Sequence, residues 1–135
     1  MKTTYLGSCH CKMLKYEAKV DLEVGTGRCN CTYCSSSRNW TARLAPDDFK
    51  WISGEKEAST YSFRANSLNK HYFCKKCGVA ICTIGDIPET IGPYVSVRVP
   101  TLWDVKPELL ARLPIRYMDG LHDNWFQEPE IKSYL

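Results

Sequence analysis

Eight cysteines in 135 residues constrain this chain more than any other feature, because seven of them fall into three tight clusters. The first is Cys9-His10-Cys11, the second Cys29-Asn30-Cys31-Thr32-Tyr33-Cys34 and the third Cys74-Lys75-Lys76-Cys77-Gly78, while Cys82 stands apart. The C-x-x-C of the third cluster has the form of a zinc knuckle. Two intervening residues let both thiolates face one metal, and Gly78 can take the left-handed conformation that closes the turn. C-x-C is also physical. Residues i and i+2 of a strand share a face about 6.6 Å apart, whereas tetrahedral zinc at about 2.3 Å per bond wants its sulfurs about 3.8 Å apart. The side chains must lean together, which a bend at a strand end permits.

Four thiolates close a structural zinc site, so one C-x-C joined to the C-x-x-C completes one. Three cysteines then remain, and three protein ligands with a free fourth position mark a catalytic zinc. Spacing is compatible with either C-x-C joining the knuckle, and with other partitions of the seven. The alternative is a second structural zinc, the second cluster being completed by His71, His10, Cys82 or an aspartate. Strand alternation turns His71 away from Cys74, giving it a core or supporting role. His10 is expected to face solvent. Cys82 shares a face with Ala80 and Ile84, where burial raises a thiol's pKa and leaves it inert.

Disulfides are the competing use of cysteine. Met1 to Gly7 contains no apolar signal-peptide core, and no stretch approaches the roughly 20 apolar residues of a membrane span. The expected setting is therefore a reducing one, cytoplasmic or nuclear, where spaced cysteines bind metal. Lys and Arg are scattered, the formal charge is only +3, and Lys75-Lys76 is the densest basic pair. A nucleic-acid surface shows a concentrated basic stripe, so nucleic acid is not an expected partner.

Hydrophobic residues at 44% and charged residues at 24% fit one domain over residues 1–135 with a buried core. Short strands dominate the pattern. Leu14, Tyr16, Ala18 and Val20 alternate with Lys15, Glu17 and Lys19; Trp40, Ala42 and Leu44 alternate with Thr41 and Arg43; Val95, Val97 and Val99 alternate with Ser96 and Arg98. Phe49 with Trp51, and Tyr61 with Phe63, make shorter pieces. Residues 78–84 are apolar on both faces, which predicts a central strand. Only Pro107 to Leu113 reads as a helix, its proline in the first turn. The tail from Pro114 is expected to pack across the sheet. The fold class is all-β with one short helix near the C-terminus.

Gly7-Ser8-Cys9-His10-Cys11, then Cys29-Asn30-Cys31-x-x-Cys34, then Phe73-Cys74-x-x-Cys77-Gly78 resembles the glutathione-dependent formaldehyde-activating enzyme family, also called the centromere protein V family. Pro46-Asp47-Asp48-Phe49, the Ser53-Gly54-Glu55 turn and Tyr94-Val95-Ser96-Val97 before Leu102 look like it too, so the resemblance spans about residues 5–126. It implies a β-tent zinc-binding fold like that of methionine-R-sulfoxide reductases. It implies two zinc ions per chain, a structural one on Cys9, Cys11, Cys74 and Cys77 and a second, catalytic one on Cys29, Cys31 and Cys34. It also implies carbon–sulfur lyase activity with glutathione as co-substrate. A glycine commonly follows the first C-x-C in the family; Lys12 stands there instead, so the loop beside that site is expected to differ.

Three thiolates on Zn²⁺ leave a net charge of −1 and a weak Lewis acid. An incoming thiol, by contrast, completes a four-sulfur shell and loses its proton on binding. A small thiol adding to, or leaving, an electrophilic carbon is the expected chemistry. Arg28 and Arg38, the nearest cations in sequence, either hold the thiol's carboxylates or are solvated surface charges. The alternative is a non-catalytic zinc module that binds protein or chromatin. Sulfoxide reduction needs a reactive cysteine, and Cys82 in its apolar run is a poor one.

Overall fold

The computed structural model describes residues 1–135. Its ten strands are β1 (Thr3–Ser8), β2 (Lys15–Val20), β3 (Thr26–Cys29), β4 (Thr41–Leu44), β5 (Phe49–Ser53), β6 (Ala58–Tyr61), β7 (Lys70–Cys74), β8 (Ala80–Ile87), β9 (Gly92–Arg98) and β10 (Ile115–Met118). Two six-residue helices, α1 (Thr32–Ser37) and α2 (Pro107–Arg112), and four three-residue 3-10 turns complete the regular structure. The mainly-β reading holds, and the proline-led helix lies where its sequence placed it. A second helix, α1, is added.

The strands form a three-stranded sheet, β1-β2-β5, and a seven-stranded sheet, β10-β3-β4-β9-β8-β7-β6. Alternation explains how they meet. Along β2 Tyr16, Ala18 and Val20 are buried, along β4 Ala42 and Leu44, and along β9 Val95 and Val97. These residues share one core cluster with Leu14, Leu22, Ile81, Cys82 and Leu102. Ile81, Cys82 and Thr83 are buried in succession, as expected of β8, which lies between β9 and β7.

The other face of the large sheet is polar. Cα register sets Arg43, Ser96, Thr83, His71 and Tyr61 opposite one another in a row across β4, β9, β8, β7 and β6. Arg98, two residues beyond Ser96, points the same way by strand parity. The tail joins the sheet edge rather than crossing it: β10 pairs in parallel with β3, Met118 opposite Cys29. That register brings the tail to the second cysteine cluster.

Candidate metal centres and their surroundings

Cys9 and Cys11 follow the end of β1, whereas Cys74 ends β7 and Cys77 lies in the turn toward β8. The first pair therefore comes from the small sheet and the second from the large one. All four sulfurs lie within 4.8 Å of one another. Cys9 Sγ and Cys11 Sγ are 3.6 Å apart, and so are Cys11 Sγ and Cys74 Sγ, close to the edge of a zinc–thiolate tetrahedron. Backbone N–H groups donate to two of them, Leu14 N to Cys9 Sγ at 3.3 Å and Lys76 N to Cys74 Sγ at 3.3 Å. Such bonds favour the thiolate form that metals require.

Each pair turns through a left-handed residue, Gly78 at φ 78 and Lys12 at φ 67. Lys12 thus adopts the backbone that glycine takes at no steric cost. Its N–H donates to Cys9 O at 3.1 Å, and its ammonium sits 5.4 Å from the centre of the Trp103 ring.

Cys29, Cys31 and Cys34 form the other group, again within 4.8 Å of one another, and no fourth histidine, cysteine or carboxylate donor joins them. Cys29 ends β3; Cys31 caps α1, its sulfur accepting from Cys34 N at 3.4 Å. Cys31 N donates to Cys29 Sγ at 3.3 Å, and the Asn39 amide to Cys34 Sγ at 3.5 Å. Hydrogen bonds from Cys29 and Cys34 hold the Cys31 thiol well below its usual range, while contacts with Cys29 and then Cys31 push Cys34 up. Three sulfurs this close cannot all ionise without a cation. Both clusters have the donor chemistry of zinc.

The three-cysteine loop is braced from the tail, a feature without a local sequence signal. Asn30 Nδ2 donates to Asp119 Oδ1 at 2.8 Å, and Leu121 N donates to Asn30 Oδ1 at 2.9 Å. The Asn30 contact, followed by that of His122, holds the Asp119 carboxyl below its ordinary range. Between these bonds Gly120 passes so close that an added Cβ would meet Cys29 Sγ at 2.6 Å and the Trp125 ring at 2.6 Å.

The other candidates fall outside both clusters. His10 is exposed. Burial pushes the Cys82 thiol up to about 12, the inert state expected of it. His71 supports rather than ligates: its ring stacks on Tyr33 at 4.1 Å, and its Nδ1 lies 2.7 Å from Thr83 Oγ1. Burial, then the Arg98 guanidinium, lowers His71 to about 4, so it is neutral near pH 7. Arg28 and Arg38 do reach the three-cysteine loop, lining a cleft of about 10 Å³ with Cys29, Cys34 and Tyr134. Arg28 lies 5.1 Å over the Trp40 ring and Arg38 donates to Tyr134 O at 3.3 Å.

A wider groove of about 410 Å³ opens on the outer side of α1, lined by Thr32, Tyr33, Ser36, Tyr61 and Phe63. Tyr61 and Phe63 are more than half exposed there.

Two comparisons relate the chain to known proteins. A family model described as glutathione-dependent formaldehyde-activating enzyme matches residues 4–115, a span that includes all seven clustered cysteines and stops short of the Asp119–Leu121 brace. A crystal structure of a Rhodobacter sphaeroides protein, a structural genomics target, is similar at TM-score 0.67 and 25% identity, over 82% of this chain and 99% of that one.

Proposed function

Because the chain belongs to the glutathione-dependent formaldehyde-activating enzyme family, we propose that its three-cysteine cluster seats a small thiol of the glutathione kind for carbon–sulfur lyase-type chemistry with an aldehyde or related electrophile. The observation that carries this reading is the contrast between two sulfur groups: four cysteines complete in themselves, and three with no fourth donor. The four are read as holding a closed structural zinc, the three as leaving a position for substrate.

Cys29, Cys31 and Cys34 would hold a zinc ion, which when bound would supply a fourth position favouring the thiolate form of an incoming thiol. The thiol sulfur then adds to the carbonyl carbon: a C–S bond forms, the C=O π pair moves to oxygen, and the oxygen takes up a proton to give a hemithioacetal. The lyase direction reverses each step. The chain's own groups hold the geometry. The Cys31 and Cys34 amides and Asn39 orient the sulfurs, Gly120 and Trp125 close the space behind Cys29, and substrate approaches along α1 from the open groove.

Calorimetry in two buffers of different ionisation heat tests this. Glutathione is expected to bind the zinc-loaded protein with release of a proton, and to fail with Cys31→Ser. No binding by glutathione, cysteine or cysteinylglycine at millimolar concentration would overturn the reading and leave a zinc-bearing interaction module in its place.

A further inference from the structure

Arg98 is the one strongly basic group buried in this fold, 5% exposed, and it has no acidic partner: none of the ion pairs in the molecule includes it. Its contacts are neutral and long. Nη1 donates to Thr83 Oγ1 at 3.2 Å, Nη2 to Tyr33 Oη at 3.4 Å, and Nη2 lies 3.5 Å from His71 Nδ1. Nε is buried with no acceptor at all. A guanidinium carries five N–H donors matched to a carboxylate's two oxygens, and burying one without an anion is costly unless something supplies the charge.

The position of this cation limits what that something is. Its two outer contacts, Tyr33 and His71, stack on each other and pack against Tyr61 and Phe63, and Tyr33, Tyr61 and Phe63 line the open groove. Tyr33 lies in the chain between Cys31 and Cys34. The Tyr33 ring is fixed by its stack on His71, but its hydroxyl meets Nη2 only at 3.4 Å, a long contact that a charged acceptor would outcompete. Arg28 lies over the Trp40 ring and Arg38 donates to Tyr134 O; Arg98 differs from both in being buried with Nε unpartnered.

We propose that Arg98 is the carboxylate anchor of the thiol site. The substrate enters along the aromatic groove, its carboxylate replaces the Tyr33 hydroxyl at Nη2, and its sulfur is thereby held toward Cys29, Cys31 and Cys34. The inference rests on the thiol reading above and deepens it by assigning the residue that reads the substrate's carboxylate.

The probes are glutathione and its diethyl ester, which keeps the thiol and removes both carboxylates, titrated into the zinc-loaded full chain. Wild-type protein is expected to prefer glutathione roughly ten- to hundredfold, the weight of a charge-assisted contact. Arg98→Met should abolish that preference, leaving the ester's affinity and the zinc content unchanged. Tyr33→Phe, which removes the competing hydroxyl, should tighten glutathione and not the ester, and it stands as the test should Arg98→Met fail to fold. Equal affinity of wild type for both probes, or an Arg98→Met variant that keeps the preference, overturns the anchor while the thiol reading stands. Binding of neither probe overturns the thiol reading, and the anchor with it.

Discussion

Lys12 shows how a single backbone angle is held against its own preference. A side chain in the left-handed region costs about 1–2 kcal/mol. Glycine would remove that cost but lose about 0.5–1 kcal/mol in chain entropy and the contact with Trp103, worth about 0.5 kcal/mol at an exposed site. The terms nearly cancel. Lys12→Gly is therefore expected to shift the denaturation free energy of zinc-loaded protein by less than about 0.5 kcal/mol, whereas Lys12→Ile, branched at Cβ, should cost about 1–3 kcal/mol. A large gain from glycine in urea titrations would show that the turn is strained beyond its φ. The sequence places this residue beside a cysteine cluster, yet its sign of φ was hidden, because the Cys9–Leu14 turn bond that holds it joins residues whose pairing only the fold reveals. Arg98 was hidden in a similar way. Between Val97 and Val99 it reads as an ordinary outward position, yet it is buried against Thr83, His71 and Tyr33, the last on a helix 65 positions away.

At the scale of elements, what could be read ahead follows from one-sided burial. β2, β4 and β9 put alternate residues into one core, so their periodicity is written in the chain. β3 and β10 are four residues each with no such rhythm, and their parallel pairing spans the whole molecule. Helix α1 was invisible for a different reason. Thr-Tyr-Cys-Ser-Ser-Ser contains no strong helix former and buries nothing; the Cys31 cap and the left-handed Arg38 at its end define it instead. The partition of cysteines came from family resemblance, whereas the Asn30–Asp119 brace links residues 89 apart and left no local trace. That brace is testable. A methyl at Gly120 must displace Cys29 Sγ or Trp125, so Gly120→Ala should weaken zinc at the three-cysteine site about ten- to hundredfold and leave the other site untouched. Stepwise competition with a chromophoric chelator separates the two ions, and unchanged loading of both would refute the brace.

For the whole molecule the two clusters are unequal. The four-cysteine group ties the end of β1 in one sheet to the β7–β8 turn in the other, joining sulfurs 63 residues apart. The three-cysteine group spans only residues 29–34. With zinc bound, Cys77→Ser is expected to lose most of the folded population near 25 °C, because the cross-link between sheets is gone. Cys31→Ser should keep a cooperative β melt and bind one zinc instead of two. Equal destabilisation in thermal melts would mean that both sites are structural. The spacing of the two groups along the chain also orders events during synthesis. A polypeptide leaves the ribosome from its N-terminus, so the three-cysteine group is complete once residue 34 has emerged, while the four-cysteine group waits for residue 77. From the emergence of residue 34 until that of residue 74, Cys9 and Cys11 are exposed beside the completed trio with their own partners still unmade. The growing chain thus passes through an interval in which its five available thiols can share a metal in combinations that the finished fold forbids, and the emergence of Cys74 and Cys77 ends it.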